Sequence, residues 1–486
     1  MNKNNFIEVQ NLFCTYNSKV ILRNINFKIS SGEAVAIIGK SGSGKTTLAY
    51  CLTGIIPHRI PAKIEGEIKI NDKSYGELSF RDIIKNINIV LEDYEAQIFG
   101  LTVEEELAFG LENLGLPTNE IENRINWALK TFNLIDKRKM LVSELSGGLK
   151  QRLAIASTVI LKPNFLVLDN PTANLDWNGI LRLKEIINEL KSYGCGLILM
   201  LRKIKGFEDC IDKVYFLNSG SLKEVNYDIE SSFNSIHIDN YRHNSENELI
   251  IRVEDLWFKY NGPYVLKGIN LDVYGGEVLA VMGSNGSGKT TLMKHLNGLL
   301  KPCKGRVIVC GMDTKHYSAS SLAKIVGLAF QDPNKHLFAN TVWDEVSFGC
   351  KVLKLPMKNV VEALKLLKLY DLKDKGIHEL SMGEKVRVVI ASALALNPKV
   401  LILDEPTTGQ DSDLLVELAK LILKLKSNGK SIVIVTHDSD FALQIADKIA
   451  ILINGELKYL GSPSEILFND KILSEACLEP PSNYLR

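Results

Sequence analysis

Gly283-Ser284-Asn285-Gly286-Ser287-Gly288-Lys289-Thr290 has the spacing of a phosphate-binding loop, a glycine and four residues before Gly-Lys-Thr. The glycines let backbone N–H groups close around phosphate oxygens, and a helix starting at Lys289 adds its partial positive charge. Lys289 is suited to the outer phosphates and the Thr290 hydroxyl to Mg²⁺, with Thr291 continuing the helix. The same pattern stands earlier as Gly39-Lys40-Ser41-Gly42-Ser43-Gly44-Lys45-Thr46, followed by Thr47. Each copy follows an apolar run, Ala34–Ile38 or Val278–Met282, that reads as a buried strand.

Two further apolar runs end in a carboxylate, Phe165 to Asp169 and Val400 to Asp404. A carboxylate closing a buried parallel strand lies where open α/β sheets bind ligands. Asp169 and Asp404 are therefore candidates, with Thr46 and Thr290, to hold Mg²⁺. Glu405 follows Asp404 and could orient or deprotonate a water, whereas Asn170 follows Asp169. A last strand, Ser431–Val435, runs into Thr436-His437, and counting from matched residues aligns His437 with Arg202. Ser146-Gly147-Gly148 and Ser381-Met382-Gly383 each open an apolar helix, presenting a hydroxyl and free N–H groups to an anion. Read alone, either is equally a plain helix cap.

The elements that carry these residues are duplicated. Tyr16 matches Tyr260 and Lys45 matches Lys289 at an offset of 244; Ser146 and Ser381, Asp169 and Asp404, and Asp176 and Asp411 match at 235. The first half carries nine extra residues between these motifs. The expected organisation is a first domain over 1–225, a polar linker over 226–247, and a second domain over 248–486. The strands Phe6–Tyr16 and 249–260 open the halves, and Tyr16 or Tyr260 could stack on an adenine or be ordinary half-buried strand tyrosines. Thr102 with Glu105 and Thr341 with Asp344 predict helix N-caps. Amphipathic helices are expected over Ile121–Phe132 and Asn359–Leu369. After Gly461-Ser462-Pro463 the chain reads as a small helix, Ser464–Phe468, and then polar coil.

With 486 residues, 45% hydrophobic and 24% charged, the chain has the make-up of a globular protein of two or three domains. A net charge of +1 gives no support to a nucleic-acid partner. Its eight cysteines form no Cys-x-x-Cys pair and predict reduced, buried thiols. The polar N-terminus predicts no secretory leader, and no apolar run is long enough to span a bilayer.

The order of phosphate loop, Gln331 (Glu92 in the first half), Leu-Ser-Gly-Gly, strand with Asp-Glu, then His resembles the ATP-binding-cassette ATPases over nearly the whole chain. The stretches Asp93 to Phe99 and Leu101 to Pro117, with Asp332 to Phe338, look most like the ATPase components of energy-coupling-factor importers of vitamins and metal ions. The resemblance implies an α/β fold with two tandem cassettes, each a phosphate-loop core with an antiparallel β subdomain and a helical subdomain. It implies ATP and Mg²⁺ as cofactors. The implied partners are an integral-membrane transporter subunit and a substrate-binding membrane subunit, at the cytoplasmic face of the membrane. It further implies that the halves pair head to tail, each ATP held by one phosphate loop and the other half's Leu-Ser motif. Site one would then join Lys45, Thr46 and Asp169 to Ser381 and Gly383, with Glu92 for Gln, Asn170 for Glu, Arg202 for His and Met382 for Gly. Site two would join Lys289, Thr290, Gln331, Asp404, Glu405 and His437 to Ser146, Gly147 and Gly148, departing only at Leu149. Catalysis is expected at site two, through Glu405, His437 and Gln331, with Gln331 also facing the metal. Rival expectations are a tandem sugar-importer ATPase and a soluble translation-associated double cassette. The Phe-Gly-Leu-Glu-Asn-Leu-Gly stretch argues against the first. The lack of a long charged linker or Cys-rich cluster argues against the second.

Overall fold

The computed structural model describes residues 5–16, 18–40, 42–172, 175–225, 246–330, 333–407 and 412–482. The chain divides into two units, Met1–Phe233 and Asn234–Arg486. The expected linker lies outside the described residues over 226–245, and its last two positions open the strand Glu246–Lys259.

In the first unit Lys19–Ser30, Phe6–Tyr16, Lys63–Ile70 and Lys73–Ser74 form an antiparallel sheet in that order. Its alternating buried and open positions fit a sheet with one face on a core. A six-stranded sheet runs Ser221–Glu224, Lys213–Asn218, Ala34–Ile38, Gly196–Leu201, Phe165–Asp169, Ile87–Val90. Only its first pair is antiparallel. The strands Ala34–Ile38, Phe165–Asp169 and Gly196–Leu201 are buried at every residue, as their unbroken apolar composition requires when helices cover both faces. The helices Val103–Asn113, Thr118–Thr131 and Gly147–Val159 pack through Leu107, Leu111, Ile125, Leu129 and Leu153.

The second unit repeats this plan. Its antiparallel sheet runs Tyr264–Gly275, Glu246–Lys259, Lys304–Val309, Met312–Asp313. Its six-stranded sheet runs Val326–Ala329, Val400–Asp404, Ser431–Val435, Val278–Met282, Lys448–Ile453, Glu456–Gly461. The helices Val342–Leu353, Met357–Leu366 and Met382–Ala395 correspond to the three named above. Each unit thus has the expected α/β core, antiparallel sheet and helical layer.

The tail departs from the expected coil. After Pro463–Leu467 a second helix, Asp470–Ala476, forms, and Asn469 Oδ1 caps it by accepting from the N–H groups of Lys471 and Ile472. Ile472, Leu473 and Ala476 pack on Met282, Ile449 and Ile451, covering part of one face of the sheet. The cysteines differ too: all are free thiols, but Cys303 is exposed and Cys310 and Cys477 are half-buried, because they sit in turns or at a helix end. Among the described residues no helix is long and apolar enough to cross a membrane.

Candidate functional site

The phosphate loops sit between the end of a central strand and the start of a helix, Lys45–Leu52 or Lys289–Leu296. Gly283 must be glycine: its φ is +139° and a Cβ there would stand 2.1 Å from the Leu452 carbonyl oxygen. Lys289 Nζ donates to the carbonyls of Gly283 at 2.8 Å and Ser284 at 2.9 Å, and Lys45 Nζ does so to Gly39 and Lys40 at 2.6 and 2.9 Å. Both ammonium groups are thereby poised over their loops. Gly42, Gly44, Gly286, Gly288 and Asn285 fall in the loops, Thr47 and Thr291 lie in the first turn of the helices that follow, and Ser41 lies outside the described residues.

Asp169 and Asp404 are each 2% exposed at the ends of their strands. Burial raises both carboxyls above the usual carboxylate range, opposed by hydrogen bonds from Thr46 and Thr290 respectively. Asp404 Oδ1, Ser43 Oγ and Ser287 Oγ are buried with no hydrogen-bond partner. Such orphaned acceptors and hydroxyls are costly unless something binds them. A hydroxyl and a carboxylate facing a glycine-rich loop form a donor set of oxygen atoms, which suits a hard divalent cation carried by a phosphate group. The residues therefore fit ATP with Mg²⁺: the loop backbone and lysine would hold phosphates, Thr46 with Asp169 or Thr290 with Asp404 the cation. When bound, Mg²⁺ neutralises charge that develops on the phosphate oxygens.

Glu405 is 7% exposed and its φ is +51°, a left-handed backbone that strains a non-glycine residue by on the order of 1–3 kcal/mol. Burial pushes its carboxyl up to about 7, against the pull of Lys289. Its Oε1 stands 3.1 Å from His437 Nε2, without the geometry of a regular hydrogen bond. A buried carboxyl with a pKa near neutrality is suited to accept a proton from water. Gln331 lies outside the described residues.

This burial has a measurable consequence for stability. The folded carboxyl titrates above its usual 4.5, so the stability associated with protonated Glu405 is lost as pH rises from about 4.5 through about 7. Glu405→Gln in apo protein with EDTA should accordingly be more stable than wild type at pH 8, by on the order of 3 kcal/mol. The gain should shrink below pH 7 and vanish toward 4.5. Equal melting temperatures of the two proteins at pH 8 would contradict it.

In the first unit Asn170 takes the same conformation, φ +48°, which asparagine adopts more readily. Its Nδ2 donates to Glu92 Oε1 at 2.6 Å, and Arg202 Nη2 lies 3.4 Å from the same oxygen. The departures expected at three separate motifs therefore touch.

The Leu-Ser motifs also differ. Ser146 N-caps the helix Gly147–Val159 without a side-chain hydrogen bond to it. Ser381 is engaged in a capping box: its hydroxyl donates to Glu384 Oε2 at 2.8 Å and accepts from the Glu384 N–H at 3.3 Å. Ser146, Gly147, Ser381 and Met382 are exposed, and Gly148 and Gly383 are half-buried. Tyr16 is half-buried against the core, and burial pushes its phenol up to about 12. Tyr260 is 52% exposed, with its hydroxyl 3.5 Å from Thr291 Oγ1.

Sequence reasoning missed three side chains that shape the loops after the phosphate site. Gln97 bridges the segment behind Glu92, accepting from the Leu91 N–H at 2.7 Å and donating to the Ile89 carbonyl at 3.0 Å. Buried Glu106 accepts from the N–H groups of Phe99 and Gly100, and buried Glu345 from those of Phe338 and Ala339. The signal was a glutamate four residues after each capping threonine.

The ABC transporter family model matches residues 22–173 and again 266–408. A Caldanaerobacter subterraneus subsp. tengcongensis protein named as an ABC transporter ATP-binding protein is 34% identical, covering 95% of this chain and 91% of its own length. A Methanosarcina acetivorans protein of the same description is 35% identical, with coverages of 93% and 89%. An archaeal ribosome recycling factor, solved with a ribosomal stalk protein, is similar at a TM-score of 0.66 over 96% of this chain and 92% of that one. At 20% identity that likeness shows the fold alone. With two matched spans, each carrying a phosphate loop and a strand-end aspartate, the chain belongs to the ABC transporter ATPase family as two cassettes in tandem.

Proposed function

We propose that this protein is the ATP-hydrolysing, energy-coupling subunit of a membrane importer of the energy-coupling-factor type, for a vitamin or metal ion. It works at the cytoplasmic face of the membrane with a transmembrane coupling subunit and a substrate-binding membrane subunit. The halves pair head to tail. Site two, built on Lys289, Thr290, Gln331, Asp404, Glu405 and His437 with Ser146, Gly147 and Gly148, hydrolyses ATP. Site one, built on Lys45, Thr46 and Asp169 with Ser381 and Gly383, retains it.

The observation that carries this reading is the segregation of chemistry between the units. Glu405 has the burial and raised carboxyl of a base, whereas Asn170 spends its amide on Glu92 and cannot accept a proton at neutral pH. Ser381, assigned to site one, has its hydroxyl already engaged by Glu384. The membrane coupling is supported by exposed aromatic pairs at matching positions of both units, Phe99 with Phe109 and Phe338 with Phe348. Glu104 beside the first pair is committed within its own unit, ion-paired with Arg138. The linker, by this reading, is a tether.

The deciding experiment is purification of the tagged chain from cells in mild detergent. Integral-membrane proteins should co-purify in fixed ratio and stimulate or restrain its ATPase activity. Recovery with ribosomal particles instead would favour the translation-associated reading and end this one.

A further inference from the structure

The three motif departures of the first unit are joined in the fold. Glu92 follows the strand Ile87–Val90, Asn170 follows Phe165–Asp169, and Arg202 follows Gly196–Leu201. These are neighbouring parallel strands, so their C-terminal ends lie side by side. Glu92 Oε1 receives both the Asn170 amide and the Arg202 guanidinium, which leaves Oε2 outside these contacts. Arg202 Nη1 is buried with no hydrogen-bond partner. Glu92 is also close enough to Asp169 for its negative charge to raise that carboxyl further. In the second unit the carboxylate is instead on Glu405, and glutamine stands at 331. The first unit has therefore exchanged them: acid at 92, amide at 170.

We propose that Glu92, Asn170 and Arg202 act as one clasp in which Glu92 Oε2 joins Asp169 and Thr46 as a ligand for the divalent cation of a retained nucleotide, while Arg202 Nη1 donates to its terminal phosphate. Replacing a neutral amide ligand with a carboxylate strengthens the hold on a hard cation, because ligand charge sets affinity in such sites. The same exchange removes the base from the position beside Asp169. Among the described residues no three His, Cys, Asp or Glu side chains converge on a self-sufficient metal site, so the nucleotide's own oxygens complete the shell. The inference rests on reading the first unit as a retaining site, and it names the residues that do the retaining.

Two measurements on the full chain test it. In the apo protein, Asn170→Glu should lower the melting temperature by several degrees, since two carboxylates would meet, and adding Glu92→Gln should restore most of the loss. If Asn170→Glu does not fold, that failure must itself be rescued by Glu92→Gln. Additive effects, or no rescue, overturn the clasp. In a Lys289→Ala background, where the first unit reports alone, fluorescent ATP analogue binding is titrated with Mg²⁺. Glu92→Gln should raise the Mg²⁺ midpoint roughly tenfold or more, and Glu92→Asp should recover part of it. An unchanged midpoint overturns the cation role. Loss of all analogue binding by the Lys289→Ala chain at saturating Mg²⁺ would overturn the retaining-site reading and the cation role with it; the apo melting cycle then decides the hydrogen-bonded clasp separately.

Discussion

Glu405→Gln should lower steady-state ATP hydrolysis by about 10²–10⁴-fold, while Asn170→Ala should leave most of it. Glutamine keeps the shape of the side chain and can still hydrogen-bond a water, but it cannot take the proton. Lys289, Thr290 and Asp404 are untouched, so ATP binding should persist. Asn170 has no base to lose, and its removal frees Glu92 of one of its two contacts. Lys45→Ala is expected to weaken nucleotide retention at the first site more than it slows chemistry. The measurement is the rate of each purified variant at saturating Mg-ATP. Comparable losses in Glu405→Gln and Asn170→Ala, or a Glu405→Gln rate near half of wild type, would mean two equivalent sites.

The glycine-rich loops were legible because their pattern is local in sequence. A glycine loop after an apolar strand needs no distant partner to be recognised, and the strands Ala34–Ile38, Val278–Met282, Phe165–Asp169 and Val400–Asp404 lie where their apolar runs end. The capping threonines were legible for the same reason: Thr102 forms a full capping box with Glu105, and Thr341 caps through Asp344. The link between Glu92 and Asn170 was not legible. They lie 78 positions apart and meet only because their strands are neighbours in a parallel sheet. Strand order is a property of the crossover connections, which no single motif records. The helix Asp470–Ala476 was missed because seven residues with three buried positions carry too little periodicity to distinguish from coil. Its stability comes from the part of the sheet face it covers. The pairing of Glu104 with Arg138, 34 residues away, was illegible for the same reason as the link between Glu92 and Asn170.

The same fold leaves the aromatic pairs without cover in their own units, and their removal should have the second large effect. Phe338 is 65% and Phe348 49% exposed, with ring centroids 4.9 Å apart at 85°, and Phe99 is 70% and Phe109 49% exposed. Each pair joins the loop after the phosphate site to the first helix of the helical layer, and Glu345 or Glu106 fixes that loop through two backbone N–H bonds. An aromatic pair on a fixed support suits the apolar face of a short amphipathic helix from a membrane subunit, whereas Asp344 at its edge is already engaged by Thr341 and Lys351. Buried aromatic anchors are often worth about 2 kcal/mol or more each at such interfaces. Replacing both Phe338 and Phe348 with Ala should therefore weaken assembly roughly 10²–10³-fold. Because both rings are exposed, the isolated chain should keep its fold and its nucleotide affinity. Detergent pull-down of the membrane subunits against titrated variant protein reads the change, with nucleotide binding by the isolated chain as control. Equal recovery by wild type and by both Phe338→Ala/Phe348→Ala and Phe99→Ala/Phe109→Ala would place the docking surface elsewhere.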